Sequence, residues 1–320
     1  MPVRWGFIGA GGIAKGALAP AVHAADGAVL AGAAARDPKR ASALEPGRVH
    51  ASYADLLADE DVDAVYISLS NDAHAPWATA ALEAGKHVLC EKPLALDVSE
   101  VDDLIAAAHT HDRLLVEASM WRWHPRTKRL AELVGAGAIG GVQHVSAGFT
   151  FAGDLGGNYR NEPARGGGAL YDVGCYALSA VLVALGSRSL ADVSARQLIG
   201  PTGVDLTTEA VLEFEGASTA ELRASVAEPE AQWLVVSGEG GELECRKPVF
   251  TAWRGDVAEL LISDGRSTTT ERWDPVDPYR LMVEAVSARI SGDGEAWVLP
   301  LAQTRRGAEL LDSIRAAATT

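Results

Sequence analysis

Short apolar runs alternate with patterns of helical period along the first third of the chain. The runs predict strands near Trp5 to Ile8, Val29 to Ala34, Val62 to Leu69, His87 to Cys90 and Leu114 to Glu117. Helices are predicted between them, notably over Ala73 to Ala84 and Val98 to His109, with Asp97 placed to cap the second. Strand and helix in strict alternation build a parallel, doubly wound sheet, and such a sheet takes its ligand at the carboxyl ends of its strands.

After about Met120 the pattern changes. An amphipathic helix over Thr127 to Val134 is followed by a strand near Val142 to Phe151 and an almost wholly apolar helix from Leu170 to Leu185. Period-two strands come next: Glu209 to Glu215 carries Ala210, Leu212 and Phe214 on one face, and Thr219 to Val226 carries Ala220, Leu222, Ala224 and Val226. The link Gly216-Ala217-Ser218 between them predicts a hairpin. Further strands are predicted near Trp233 to Val236, Glu242 to Cys245, Val249 to Trp253 and Glu259 to Ser263, and helices close the chain at Tyr279 to Ser291 and Ala302 to Ala318. The reading is an α/β chain: an N-terminal dinucleotide-binding domain over residues 1–120, then a C-terminal α+β domain over 121–320 with a large mixed or antiparallel sheet.

Composition narrows this only a little. A chain of 320 residues has room for two cores, and 48% hydrophobic with 22% charged residues describes a packed protein and excludes wholesale disorder. A formal net charge of -15 repels nucleic acid and anionic lipid, so an anionic cofactor has to be held by a local pocket and no nucleic-acid or membrane partner is expected. The start Met1-Pro2-Val3-Arg4 runs straight into the first strand without a signal-peptide pattern, which places the expected protein in the cytoplasm. The longest apolar stretch, Tyr176 to Leu185, falls short of the roughly 20 residues that cross a bilayer. Cys90, Cys175 and Cys245 are widely spaced and are read as reduced thiols. The histidines, His109, His111 and His144 among them, have no ligand spacing, and no metal is expected.

Chemistry enters with the turn after the first strand, Gly9-Ala10-Gly11-Gly12-Ile13-Ala14. Gly9 suits the tight turn, Gly11 lets backbone approach a pyrophosphate, and Ala14 keeps strand and helix close, although glycine-rich turns also serve purely structural ends. At the end of the second strand stands Ala35-Arg36-Asp37-Pro38-Lys39-Arg40. An acidic residue there holds a ribose 2′-hydroxyl, whereas arginine meets a 2′-phosphate. Arg36, with Lys39 and Arg40 adding positive field, favours NADP over NAD, while Asp37 keeps NAD within reach. Glu91-Lys92-Pro93 lies just past another strand end, where Lys92 is the first candidate for general acid and base and Glu91 for its orienter; a solvated surface lysine is the competing reading. The third cluster is Gly166-Gly167-Gly168 opening the helix that bears Asp172 and Tyr176, four residues apart and on one face. A buried aspartate needs a partner, and a sugar hydroxyl, Lys92 or a water serves; a helix cap and ordinary packing are the alternatives.

These residues together resemble the glucose-fructose oxidoreductase and inositol dehydrogenase family, often written Gfo/Idh/MocA. The likeness rests on the glycine loop, on Ala84-Gly85-Lys86-His87-Val88-Leu89-Cys90-Glu91-Lys92-Pro93, and on the triple glycine followed by Asp172 and Tyr176. It implies a Rossmann nucleotide domain, with Lys92 as catalytic lysine, Asp172 as substrate-binding carboxylate and Tyr176 as proton donor or relay. Tyrosine at 176 in place of the inositol dehydrogenases' histidine resembles glucose-fructose oxidoreductase, dihydrodiol and pyranose dehydrogenases and sugar 3-ketoreductases, and Glu117-Ala118-Ser119-Met120-Trp121-Arg122-Trp123-His124-Pro125 resembles the dihydrodiol and xylose dehydrogenase branch, with Trp123 and His124 replacing its usual aromatic pair. By that resemblance Arg122 and the loop with Ser68, Ser70, Asn71 and His74 border the cofactor, His74 being equally able to cap its own helix. Trp121 and Arg160 are then assigned to the substrate, the latter in a loop, Asn158 to Arg160, which reads as readily as a solvated turn. The expected activity is hydride transfer between NAD(P) and a secondary alcohol or ketone of a sugar or cyclic polyol. The rivals are a nucleotide-sugar 3-ketoreductase of deoxysugar biosynthesis and a non-catalytic NADP-binding redox sensor. Family resemblance also implies a homodimer or homotetramer formed through the C-terminal sheet.

Overall fold

The structure is a computed structural model that describes residues 1–153, 155–246, 248–253 and 255–320. The chain separates into two compact units, Met1–Met120 with Asp277–Arg305, and Trp121–Val276 with Arg306–Thr320.

In the first unit β1 (Val3–Ile8), β2 (Ala28–Ala34), β3 (Arg48–Val49), β4 (Ala64–Ile67), β5 (His87–Cys90) and β6 (Leu115–Glu117) form one sheet in the order β3-β2-β1-β4-β5-β6. Every pairing is parallel. The central strands are apolar on both faces, as a sheet covered on both sides requires: Trp5, Phe7 and Ile8 of β1 and Val65, Tyr66 and Ile67 of β4 are buried. The helices are α1 (Ala19–Ala24), which continues a wider π-helical turn over Ala14–Leu18, then α2 (Pro38–Ser42), α3 (Tyr53–Leu57), α4 (His74–Glu83) and α5 (Val98–Thr110). Asp97 caps α5 as expected, accepting from Glu100 N at 2.9 Å. Strand order reverses between β1 and β4, so the crevice at their carboxyl ends is where this topology binds a ligand.

The second unit contains α6 (Pro125–Gly135), β7 (Val142–Ala152), a π-helical turn over Leu170–Gly174 that runs into α7 (Cys175–Leu185), and a ladder of strands. These are β8 (Leu190–Ile199), β9 (Asp205–Phe214), β10 (Ser218–Ser225), β11 (Ala227–Gly238), β12 (Gly241–Cys245), β13 (Ala258–Ser263), β14 (Thr268–Trp273) and β15 (Ala318–Thr319). With β7 they make a nine-stranded mixed sheet, β14-β13-β12-β11-β7-β10-β9-β8-β15, in which β7 with β10 and β8 with β15 are parallel. The predicted hairpin joins β9 to β10, with Gly216 and Ala217 both at positive φ. Such a pair twists with its strands.

Three expectations differ from the structure. Residues 249–253, predicted as a strand, form no ladder: buried side chains from α6 and β11 hold that segment instead, as described below. Residues 277–305 count with the first unit. The apolar face of α8 (Pro278–Ile290), with Tyr279, Met282, Val283 and Val286, is buried there, and Trp5 Nε1 donates to Ser287 Oγ at 3.1 Å. Finally, the apolar stretch is longer than ten residues: Pro163–Leu185 covers 23 residues and holds an 18-residue window of mean hydropathy 1.7, enough to cross a membrane by length and composition alone. Of that window 78% is buried inside the protein, which makes it a core helix. The last helix, α9, covers Leu301–Ala317.

Candidate active site

The glycine loop leaves β1 with Gly9 at φ +97°, a conformation that side chains resist, and a Cβ there would lie 2.5 Å from the Ser68 carbonyl oxygen. Gly9 is thus required by the backbone. Gly11 and Gly12 are not: a Cβ on Gly11 meets only that carbonyl at 3.8 Å, and one on Gly12 meets nothing within 4 Å. Nothing in the protein's own packing needs those two glycines, whereas a pyrophosphate against the backbone does. Ala14 is fully buried at the strand crossing, while Ile13 is exposed. Next to the loop, Ser68 Oγ is buried and bonds to no other group of the described residues. These features fit a dinucleotide.

The end of β2 separates its charged residues by task. Asp37 is the N-cap of α2, its carboxylate accepting from Lys39 N at 2.9 Å. Arg40 turns its guanidinium onto the glycine loop, Nε and Nη2 reaching the Ala10 carbonyl at 3.1 and 2.8 Å. Arg36 and Lys39 are exposed. The fields of Arg36 and Arg40 act on the half-buried Tyr53 hydroxyl, whose pKa burial nonetheless pushes up. One oxygen of the Asp37 carboxylate is thus engaged in the cap, and Arg36, Lys39 and Arg40 surround it with positive charge.

Past β5, Lys92 is half-buried in a turn pinned on three sides. Glu91 accepts from the buried Tyr66 hydroxyl at 2.7 Å, His74 Nδ1 meets the Pro93 carbonyl at 2.8 Å, and Glu117 accepts from Leu94 N at 3.0 Å. The Lys92–Pro93 peptide is cis. Burial, and to a lesser degree the nearby Lys92 ammonium, lowers the His74 pKa; a neutral ring whose Nδ1–H donates to Pro93 fits that setting. Ser70 and Asn71 are buried beside it in the loop that leads into α4. Glu91 is therefore a partner of Tyr66, while Cys90 is fully buried with its thiol pushed well up by burial, an inert packing group.

In the second unit the triple glycine is a tight link rather than a flexible one. Gly166 is left-handed at φ +70°, a Cβ on Gly167 would press on the Arg160 carbonyl, and one on Gly168, at φ +110°, would overlap the Asp205 carboxylate. Asp205 of β9, absent from the sequence reading, accepts from Leu170 N at 2.8 Å and from the Thr208 hydroxyl at 2.6 Å, and so caps the helix that carries the candidate residues. Burial pushes the Asp205 carboxyl upward, these bonds opposing it. Asp172 sits in the π-helical turn, a feature frequent at functional sites, and pairs with Arg160 (Nε to Oδ1, 2.8 Å), whose guanidinium also covers the Tyr159 ring at 4.9 Å. Tyr176 is half-buried on the same helical face, 5.6 Å from the rings of both Phe149 and Phe250. One turn on, Ser179 receives Trp121 Nε1 at 3.2 Å and Arg122 Nη1 at 3.5 Å, which docks both buried residues on α7. Arg160 with Asp172, and Tyr176 with Trp121 and Arg122, are thus brought to one helix.

A doubly wound first unit with a ligand-ready glycine turn, joined in one chain to a mixed-sheet unit bearing a paired aspartate and a tyrosine, defines a dinucleotide-dependent oxidoreductase. The chain belongs to the GFO/IDH/MocA oxidoreductase family: residues 3–119 match that family's NAD-binding Rossmann-fold domain and residues 127–244 its C-terminal domain. It is similar to the D-xylose 1-dehydrogenase (NADP(+)) 2 of Haloferax volcanii, 38% identical over 90% of this chain and 89% of that protein. It is also similar to the trans-1,2-dihydrobenzene-1,2-diol dehydrogenase of Xenopus laevis, 31% identical over 98% and 97%. Among solved structures it resembles KijD10, a 3-ketoreductase from Actinomadura kijaniata in complex with NADP and TDP-benzene, with a TM-score of 0.90 and 30% identity over 99% of this chain and 98% of that one.

Proposed function

We propose that this oxidoreductase is an NADP-linked dehydrogenase or reductase acting on a secondary alcohol or ketone of an uncharged sugar or cyclic polyol. The observation that carries the substrate class is the Arg160–Asp172 pair. The positive charge beside the candidate substrate carboxylate is already balanced, Arg165 is likewise paired with Glu162 at 3.3 Å, and the half-buried rings of Tyr159 and Tyr176 are the aromatic side chains that reach solvent there. A polyhydroxylated neutral ring, with hydroxyls for Asp172 and an apolar face for aromatic side chains, suits this better than a diphosphate does.

In this reading Gly9, Gly11, Gly12, Ile13 and Ala14 take the pyrophosphate, and Arg36, Lys39 and Arg40 take the 2′-phosphate, with NAD a weaker alternative through Asp37. Ser68, Ser70, Asn71, His74, Glu91, Lys92 and Arg122 border the nicotinamide end. Bound nicotinamide supplies or accepts the hydride. Lys92 and Tyr176 handle the hydroxyl proton, Asp172 grips a neighbouring hydroxyl, and Trp121 and Arg160 shape the substrate's surroundings. The test is turnover of a panel of free aldoses and polyols with NADP, alongside Lys92→Met. Oxidation of a free sugar, lowered about 10²- to 10⁴-fold in that variant with NADPH affinity unchanged, is expected; turnover within about twofold of the parent removes Lys92 from the mechanism.

The likeness to a 3-ketoreductase over nearly the whole chain supports a second reading, reduction of a nucleotide-linked ketosugar. Activity confined to nucleotide-linked substrates would establish it. A non-catalytic redox sensor has no chemical need for Lys92, Asp172 and Tyr176 together, and failure of hydride exchange on both substrate classes would favour it. The proposal includes a homodimer or homotetramer formed through the open face of the nine-stranded sheet.

A further inference from the structure

The second unit buries a charged side chain whose terminal guanidinium nitrogens are aimed at one stretch of backbone. Arg126 of α6 is 1% exposed, and burial lowers its pKa from the ordinary guanidinium value. Among the described residues its guanidinium meets no carboxylate: Nη1 donates to the carbonyls of Arg246 at 2.8 Å and Pro248 at 3.0 Å, and Nη2 donates to that of Val249. A second buried polar side chain continues the same job. Gln232 of β11 accepts from Phe250 N through Oε1 and donates to Thr251 Oγ1 through Nε2, both at 2.8 Å. Removing this guanidinium would strand the three backbone carbonyls it serves, so Arg126 fixes that stretch of backbone in place. What the two side chains accomplish is to hold out of the sheet a segment whose apolar composition otherwise predicts a strand.

The residue so delivered is Phe250, which is fully buried. Its ring centre lies 5.6 Å from Tyr176 and 6.1 Å from Phe149, and Phe149 lies 5.6 Å from Tyr176, so the three rings close a triangle. Trp121 meets Phe250 edge-on at 5.2 Å and is itself anchored on Ser179. Rings at these separations restrict one another's rotation, and Tyr176 is the member that reaches solvent. We infer that Phe250, carried by Arg126 and Gln232, is a positioning residue that fixes the ring of Tyr176 and with it the hydroxyl that exchanges the substrate proton. The inference rests on the reading of Tyr176 as a proton-handling group. Phe250 itself is sealed from substrate, so its influence falls on turnover and not on binding.

The test compares kcat and KM of the intact protein with those of Phe250→Leu, Tyr176→Phe and the two combined, with NADPH affinity followed throughout. Phe250→Leu is expected to lower kcat about tenfold with KM held within about twofold, since small displacements of a reacting group are costly in rate. In the Tyr176→Phe background the same change should have no further effect, because the group it positions is gone. Arg126→Met, which keeps the Phe250 ring but releases its segment, should repeat both results and serves as the second probe should Phe250→Leu fold poorly. An equal loss in both backgrounds, or a loss that appears in KM, overturns the positioning role alone. Full turnover in Tyr176→Phe by itself overturns the proton reading on which the inference stands.

Discussion

Single side chains offer direct tests of cofactor choice and of acid sensitivity. Arg36 is exposed beside an Asp37 with one carboxylate oxygen engaged by the Lys39 amide, so replacing Arg36 with alanine removes a charge that a 2′-phosphate would meet and nothing that the fold uses. A charge-assisted contact of this kind is worth about 1.5–3 kcal/mol, so NADPH should bind roughly 10- to 100-fold more weakly in Arg36→Ala with NADH unchanged; fluorescence titration of both cofactors checks it, and parallel losses for the two would sink the assignment. His124 is one source of the acid response, beside the buried His74 and the half-buried His87. Burial, with Arg126 nearby, lowers the His124 pKa from 6.5 to about 4, while its Nδ1 accepts from Arg126 N at 3.0 Å and caps α6. The folded value lies below the unfolded one, so between them the unfolded chain binds more protons and stability falls as pH drops from 6.5 through about 4. The loss from this ring is on the order of 3 kcal/mol. His124→Asn keeps a capping acceptor without the proton, and urea unfolding across that range should show a flatter acid limb; an unchanged slope would assign the acid loss to other groups.

Helices and strands were legible where the pattern of apolar residues had only one partner to meet. The central strands of the first sheet, the hairpin at Gly216-Ala217 and helices α4 to α9 follow directly from period and caps. β3 does not, because Arg48 and Val49 are exposed and become a strand only by pairing with Gly32 and Ala33. Nor does β14, whose polar Thr268-Thr269-Thr270 sequence is organised by β13. In the reverse sense, residues 249–253 look like a strand and are not one, since Arg126 and Gln232 take up the backbone groups that a neighbouring strand would pair with. Of the candidate site, the glycines, Lys92, Asp172 and Tyr176 are marked by local pattern together with the family resemblance, but Asp205 and Phe250 act from distant positions that no local signal marks. The two glycine-opened helices make this testable. Gly168→Ala combines φ +110° with overlap on the Asp205 carboxylate and should cost about 1–3 kcal/mol together with activity, since Asp172 follows four residues on. Gly12→Ala meets nothing within 4 Å. It should leave the melting temperature unchanged while weakening NADPH, and a destabilised Gly12→Ala would mean that the protein and not the cofactor needs that glycine.

The molecule as a whole carries a net charge of -15, which discourages indiscriminate association, so any self-association has to be built locally. One sheet face offers the means. The helix-facing residues of β9 and β10 are buried, whereas the opposite face presents Glu209 and Val211 on β9, Glu221 and Arg223 on β10, Arg196 on β8 and Trp233 on β11 around a cavity of about 490 Å³, with Leu198 further along β8. Leu198 is 60% and Val211 38% exposed, unusual for aliphatic side chains in strand interiors. Charges of both signs alternate across the strands, Arg196 beside Glu209 and Glu209 beside Arg223 in the register, so a second copy turned by a two-fold axis would find complementary charge as well as apolar contact. Light scattering should therefore return twice or four times the chain mass at micromolar concentration. Val211→Arg, which places a cation in the middle of that face without touching the buried side of the sheet, should shift the protein towards monomer with its melting temperature barely changed at low concentration and its NADPH affinity intact. A parent protein that stays monomeric at high concentration, or a variant that keeps the parent's mass, would locate the exposed leucine and valine outside any self-interface and leave the open sheet face without this role.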